Sequence, residues 1–272
     1  MYPELFKIGP ITVYSYGLML GIGFLVASTI FSRELKRNNI KEEIGITITF
    51  IAIVAGIVGS KLFYIIEEWN FGKGENISYY FRSDVLFSPA GLTFYGGLIL
   101  SIAIIYLYTH KKKLNLLQIF DCMAPAAALG YGIARIGCHL SGDGCYGLPV
   151  NGTKWEFLGY SYIKGIVPTA PGVLVHPTPL YEFGAGVIIF LILWLIRKKM
   201  KYHGQLFYIY LICIGIERLL VEFIRLNPIV IWGLTQAQLI SIVLILFGIV
   251  MLFLKRSSHN KTNNADDSTA KN

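Results

Sequence analysis

Residues 206–225 read LFYIYLICIGIERLLVEFIR; the apolar run at 206–224 is long enough to cross a bilayer and is broken by charge only in its second half. Arg218, Glu222 and Arg225 recur at i, i+4 and i+7, so a helix carries all three on one face. Charges inside such a run are costly and turn toward a cavity or toward one another. Arg218 and Glu222 can bridge one turn apart. That leaves Arg225 for an anion, and the planar fork of a guanidinium binds two phosphate oxygens at once. Glu217 points about 100° away and is expected to pair with another helix.

Similar runs recur along the chain, at 11–31, 44–66, 92–108, 119–136, 180–196 and about 235–254. With 54% hydrophobic and 15% charged residues and a mean hydropathy of +0.58, the composition excludes an ordinary soluble domain. The net charge of +8 points to no nucleic acid, because the basic residues sit in short blocks between the runs. The fold expected is all-α, a polytopic membrane protein of about seven spanning helices in one domain over residues 1–254. Basic blocks follow spans one (Arg33, Lys36, Arg37, Lys41), three (Lys111, Lys112, Lys113) and five (Arg197, Lys198, Lys199, Lys201). The alternate segments carry little charge: Lys7, then Lys73 and Arg82, then Lys154 and Lys164. Basic loops stay in the cytoplasm, which places the N-terminus outside and the C-terminus inside. The first run lacks a small-residue cleavage site and reads as a retained helix. The polar tail at 255–272, with Lys255, Arg256, Lys261 and Lys271, is expected to be disordered and cytoplasmic.

On that orientation the polar residues inside the spans share one level. Tyr16, Lys61 and Tyr95 lie near the outer ends of spans one to three, and Arg135 closes span four. His176 and Glu182 open span five, the Arg218 group lies in the outer half of span six, and Thr235, Gln236 and Gln238 open span seven. The outer loop, at about 137–179, begins Gly137-Cys138-His139-Leu140-Ser141-Gly142-Asp143-Gly144-Cys145-Tyr146-Gly147. Its glycines, Gly142 among them, permit tight turns and close backbone approach. Cys138, His139, Asp143 and Cys145 lack CxxC spacing and a second pair, so no metal is expected. Cys138 and Cys145 admit a disulfide on an oxidising face or two packed thiols. Cys122 and Cys213 lie in apolar runs as small buried hydrophobes. In His176-Pro177-Thr178-Pro179-Leu180-Tyr181-Glu182, Thr178 can cap span five, Pro179 suits its first turn, and Glu182 favours the helix N-terminus.

At these residues the chain resembles the bacterial prolipoprotein diacylglyceryl transferases, from about residue 5 to residue 254. The likeness is carried by Ile8-Gly9-Pro10 with Ser15-Tyr16-Gly17-Leu18-Met19, by Gly59-Ser60-Lys61-Leu62, and by Tyr95-Gly96-Gly97-Leu98. It continues through Arg135-Ile136-Gly137 and the loop after it, the 176–182 motif, and 218–225. The resemblance implies a seven-helix fold with the N-terminus outside, in a bacterial inner membrane. It implies transfer of diacylglycerol from phosphatidylglycerol to the lipobox cysteine of a prolipoprotein, with release of glycerol phosphate and no cofactor. On that basis Tyr95, Arg135, His139, Asp143, Arg218 and Glu222 are the candidate catalytic residues. Tyr16, Lys61, Gly96, Gly97, Gly142, Arg225, His176, Tyr181 and Glu182 are the candidate substrate contacts.

Three positions depart from the family pattern. Tyr95 stands where the family usually has His, Cys138 where it has Asn, and Asp143 where it has Glu. A tyrosine, with an ordinary pKa of about 10, is a poor base near neutrality. The thiol proton then falls to Tyr95 tuned by arginines, to Asp143, or to His139, whose ordinary pKa suits neutral pH best. Two rival readings are an altered-acceptor lipid transferase of the same fold and a lipid-binding or transport protein without chemistry. The chain lacks the internal repeat and midplane polar sites common in transporters. The orientation has a direct test in intact cells. Engineered cysteines near Asn151 should react with an impermeant thiol reagent while those near Lys112 stay protected, and the reverse pattern would invert the assignment of sides.

Overall fold

The computed structural model describes residues 1–9, 11–71, 79, 82 and 93–269; Pro10, Lys73, Leu92 and Lys271, used above, lie outside them. Among the described residues the order is β1 (Glu4–Ile8), β2 (Ile11–Tyr14), α1 (Ser15–Arg37), α2 (Glu43–Phe71), α3 (Phe94–Lys111) and α4 (Leu116–Ser141). Then come α5 (Thr178–Ile196), α6 (Gln205–Glu222), β3 (Ile229–Ile231), β4 (Leu234–Thr235) and α7 (Gln236–Thr269). Five of these helical segments are long and apolar enough to cross a membrane: 15–37, 43–68, 116–141, 178–199 and 236–257. The other two are 18 residues each; α6 carries Glu217, Arg218 and Glu222, and α3 ends on His110 and Lys111. Large apolar side chains such as Leu25, Phe50, Ile57, Leu195, Val243 and Phe253 are exposed on the helices, an arrangement suited to lipid and not to water.

Helix ends differ from the apolar runs for local reasons. Span one loses its first four residues to β2, which pairs antiparallel with β1. The helix begins only at Ser15, whose backbone N–H and hydroxyl both donate to the Pro3 carbonyl. Beside the start of α1, α4 continues to Ser141, so residues 137–141, expected in a loop, are helical. Gly137 permits this because α1 passes so near that a Cβ there would lie 3.1 Å from Tyr16 Cα. α6 stops at Glu222, two residues short of the expected end. α7 runs past residue 254 to Thr269, so the polar tail expected to be disordered is helical in its backbone through that residue. Extending an existing helix costs far less than nucleating one.

The chain divides into two compact units, Met1–Phe31 with Phe120–Asn272, and Ser32–Ile119. In the second unit α2 and α3 pack through small residues. A Cβ on Gly96 would sit 2.5 Å from the Gly59 carbonyl oxygen, and one on Gly97 2.6 Å from that of Gly56. Thr93 and Ser101 hydroxyls donate to the Ser60 and Ala52 carbonyls across the same seam. Close approach of helix backbones is how apolar helices gain contact where lipid supplies no hydrophobic drive. The glycines expected to admit substrate therefore have a packing duty as well. In the first unit Ala124, Ala128, Ile189, Leu193 and Leu206 form a core among α4, α5 and α6. Asp121 on α4 ties in the start of α6 by accepting the backbone N–H groups of Gly204 (2.6 Å) and Phe207 (2.8 Å). This long-range cap satisfies donors that a helix leaves open at its first turn.

The segment between α4 and α5 folds back on itself by backbone hydrogen bonds. Gly147 N–H donates to the His176 carbonyl, His176 N–H to Leu148, Val150 N–H to Leu174, and Leu148 N–H to Ile224 just past α6. The ends of α4, α5 and α6 are thereby fastened to one another at the level of Arg135, Glu182 and Arg225.

Candidate active site

Glu182 sits one turn into α5 with a fully buried side chain, in a wall of apolar helix. A carboxylate so placed requires cations and donors, since its desolvation costs several kcal/mol even after relaxation. It finds three guanidinium groups. Arg218 Nη1 bonds Glu182 Oε1 at 2.8 Å, Arg225 Nη1 approaches the same oxygen at 3.4 Å, and Arg135 Nε lies 3.5 Å from Oε2. The Tyr131 hydroxyl donates to Oε1 at 3.1 Å, and the Arg135 guanidinium lies over the Tyr131 ring at 4.8 Å. Arg218 also bridges Glu222 across one helical turn, at 2.9 Å. Glu222 is held by Thr235 (2.8 Å) and Asn227 (2.7 Å), both donating to its Oε1.

This corrects the reading of Arg225 as the spare cation. The Arg218–Glu222 pair exists as expected, but Arg225 is sunk to 9% side-chain exposure against Glu182. Arg135 and Arg218 keep 21% and 23% of their side chains open, so they are the two that can meet a ligand. Glu182, explained in the sequence by its place at a helix start, is instead the carboxylate common to all three. Glu217 pairs across helices as expected, through the Tyr131 hydroxyl at 3.4 Å. Tyr131 is a residue of the site that hydropathy alone does not single out. Its signal was the spacing of four residues to Arg135, which sets the two on one face of α4.

The end of α4 carries a second group. Arg135 Nη1 donates to Cys138 Sγ at 3.9 Å. Cys138 Sγ, the Asp143 carboxylate and Cys145 Sγ lie within 4.8 Å of one another, and Asp143 Oδ1 accepts the Cys145 N–H at 3.1 Å. All four cysteines are free thiols. Two sulfurs and one carboxylate are one donor short of the four in a structural zinc site, and the adjacent Arg135 opposes a cation. The hydrogen bond with Cys138 holds the Cys145 thiol below its usual range.

His139 and His176 are placed elsewhere. His139 Nδ1 lies 2.8 Å from the Tyr162 hydroxyl, and its ring packs on Tyr160 and Tyr162. Burial pushes the Tyr162 phenol up, so it stays protonated. His176 Nδ1 faces the Tyr181 hydroxyl at 3.2 Å, and burial lowers the His176 pKa, which favours the neutral ring. Thr178 caps no N–H of its own helix; its hydroxyl donates to the Cys145 carbonyl and pins the loop. Tyr16 stands in the same unit beside Gly137. Lys61, Tyr95, Gly96 and Gly97 belong to the other unit, Lys61 buried near the Tyr64 ring and Tyr95 partly exposed. Gly142 turns the chain just after α4 with a φ of +59°.

The shared carboxylate makes a stability prediction. Glu182→Ala takes the shared anion from Arg135 and Arg225, leaves Arg218 with Glu222 alone, and should cost about 3–5 kcal/mol. Glu182→Gln, which keeps an acceptor oxygen, should cost less. Thermal unfolding of the purified variants in detergent measures both, and wild-type stability of Glu182→Ala would remove the carboxylate from this role.

Comparisons with known proteins identify the family. A family model described as prolipoprotein diacylglyceryl transferase matches residues 3–254. Among similar proteins, a phosphatidylglycerol–prolipoprotein diacylglyceryl transferase of Finegoldia magna is 32% identical over 90% of this chain and 92% of its own length. Proteins of the same name from Clostridium tetani (32% identical; 94% of this chain, 98% of theirs) and Dehalococcoides mccartyi (33% identical; 95% and 95%) match similarly. The arginine-bearing site and the match over nearly the whole length lead to one conclusion: the chain belongs to the prolipoprotein diacylglyceryl transferase family.

Proposed function

We propose that the protein transfers the diacylglyceryl group of phosphatidylglycerol to the thiol of a lipobox cysteine in a prolipoprotein, with release of glycerol phosphate. The observation that carries this reading is the cluster of three arginines gathered on Glu182 between apolar helices, two of them still open to a ligand. In the transfer the acceptor sulfur forms a bond to the glyceryl carbon as the carbon–oxygen bond to phosphate breaks. The electron pair leaves with the phosphate, which passes from monoanion to dianion. Cations held in place before the reaction stabilise that added charge more than the starting lipid, which is how binding becomes catalysis. Arg135 and Arg218 hold the phosphate; Glu182 and Glu222 orient their forks. Arg225 fixes Glu182 from the far side.

The charge asymmetry supports seven spans with the N-terminus outside, including α3 and the charged α6, and it is the support for a site at the outer leaflet of the inner membrane. A precursor delivered across the membrane would meet it there. For the thiol proton we assign Asp143. Its carboxylate adjoins the Cys138 sulfur that Arg135 touches, while the Nδ1 of His139 is engaged by Tyr162. This reverses the preference for histidine drawn from pKa alone, because geometry takes precedence over an ordinary pKa in choosing a base. Tyr95, with Lys61, serves as a lipid contact.

Purified variants assayed in phosphatidylglycerol vesicles with a lipobox peptide test the assignment. Arg135→Lys should lose about tenfold or more in turnover, since an ammonium lacks the two-pronged fork, and Arg135→Ala should lose more. Asp143→Asn should lower the transfer rate, while His139→Gln and Tyr95→Phe keep the wild-type rate. Full turnover by Arg135→Ala would remove the phosphate role. Loss confined to Tyr95→Phe would make the tyrosine the base.

A further inference from the structure

Cys138 lies on the last turn of α4, and Cys145 four residues beyond its end. Gly142 and Gly144, with φ of +59° and +87°, reverse the chain between them in conformations that side-chain-bearing residues rarely adopt. The turn brings both sulfurs and the Asp143 carboxylate within 4.8 Å of one another. Each thiol also has a guanidinium at hand, Arg135 at Cys138 and Arg225 at Cys145. At Cys145, the more open of the two, the positive charge favours the thiolate, the form that attacks disulfides. Cys138 is 5% exposed, whereas Cys145 is partly open. The arrangement is an accessible thiol backed by a buried one.

We infer that Cys138 and Cys145 form a reversibly oxidisable dithiol whose co-substrate is a small-molecule disulfide, and that closing it disables the phosphate end of the site. The Cys145 thiolate attacks one sulfur of the small disulfide, forming a mixed disulfide and expelling a thiolate. Cys138 then attacks Cys145 Sγ, forming the Cys138–Cys145 bond and expelling the second small thiolate. The two protons given up by the protein thiols go to the two thiolates released. The protein pair loses two electrons and the small disulfide gains them.

The consequence follows from distance. A disulfide sets the two sulfurs at about 2.05 Å, so Cys138 must leave its place beside Arg135 or Cys145 must draw Asp143 with it. Either shift disturbs a residue that the proposed transfer uses. An oxidising compartment is found on the outer face, where the proposed orientation sets this loop. The loss of activity rests on the proposed transfer reading; formation of the bond does not.

The test uses the full-length purified protein in phosphatidylglycerol vesicles, treated with oxidised glutathione or with dithiothreitol, then alkylated and weighed by peptide mass. Oxidised samples should show Cys138 and Cys145 joined and unalkylated while Cys122 and Cys213 remain alkylated. Transfer to the lipobox peptide should fall about tenfold, as when one charged hydrogen bond of a site is weakened, and recover with dithiothreitol. Cys145→Ser should keep the reduced wild-type rate and ignore the oxidant. The inference is overturned by alkylatable Cys138 after oxidation, by a stable mixed disulfide on Cys145, by a bond that leaves the rate unchanged, or by Cys145→Ser losing activity to the oxidant as wild type does. A soft metal ion retained in equal proportion by the reduced protein and blocking oxidation would also overturn it. Absence of transfer in the reduced wild type would refute the transfer reading instead, and the peptide masses would still decide whether the dithiol closes.

Discussion

A carboxylate with no exposed surface in the interior of apolar helices is the constraint around which this molecule is arranged. Glu182 cannot be hydrated, so the fold must bring charge to it from elsewhere in the chain. It does so from three places, the end of α4, the last turns of α6, and Arg225 just beyond α6. Each guanidinium is restrained by more than the carboxylate. Arg135 lies on Tyr131 and Arg218 bridges Glu222, while the Ile224 carbonyl just before Arg225 accepts the Leu148 N–H. Arginines already held in this way have little freedom left to lose when a phosphate arrives, which is the physical meaning of a preorganised site.

The restraint depends on packing within about one turn of the charges. Helices that share lipid on their outer faces gain little by burying leucines, and this chain uses small residues instead. Gly132 and Gly186 meet where α4 and α5 cross, with a Cβ on Gly186 falling 3.0 Å from the Ala128 carbonyl oxygen. On α6 the backbone at Gly215 lies against Ser241 and Ile245 of α7. These approaches set the depth at which Arg135, Glu182 and Arg218 arrive. Asp121 fixes the opposite end of α6 through two backbone N–H groups. A change of one methyl group in these seams would therefore be felt as a displacement of the arginines.

Much of this was legible in the sequence, and what was not has identifiable physical causes. The apolar runs located every long helix among the described residues because burial in lipid leaves a strong compositional trace. Their ends were misread where backbone hydrogen bonding and not hydropathy decides, as at Ser15, whose partner is Pro3, and at Ser141, where the helix continues through a glycine. The i, i+4 spacing found the Arg218–Glu222 pair on α6, whereas Arg225, expected on the same helix face, lies beyond the helix end. It could not show that Arg225 is paired too, because its partner lies 43 residues away. Glu182 had a sufficient local explanation as a first-turn acid, and a local explanation conceals a distant one. His139 looked apt by its ordinary pKa, but the tyrosines that surround it come from a loop whose course no periodicity reveals.

The central claim is that Glu182 acts on the lipid phosphate through the arginines it holds, and a double-mutant cycle addresses it most directly. The quantity is the affinity for phosphatidylglycerol of the purified protein in nanodiscs, compared for wild type, Glu182→Gln, Arg218→Gln and the double variant. The account predicts strong coupling, about 1–3 kcal/mol, because the effect of Glu182 is exerted through Arg218 and largely vanishes once that side chain is gone. Effects that simply add, within about 0.5 kcal/mol, would contradict it and reduce Glu182 to a buried charge with no part in binding.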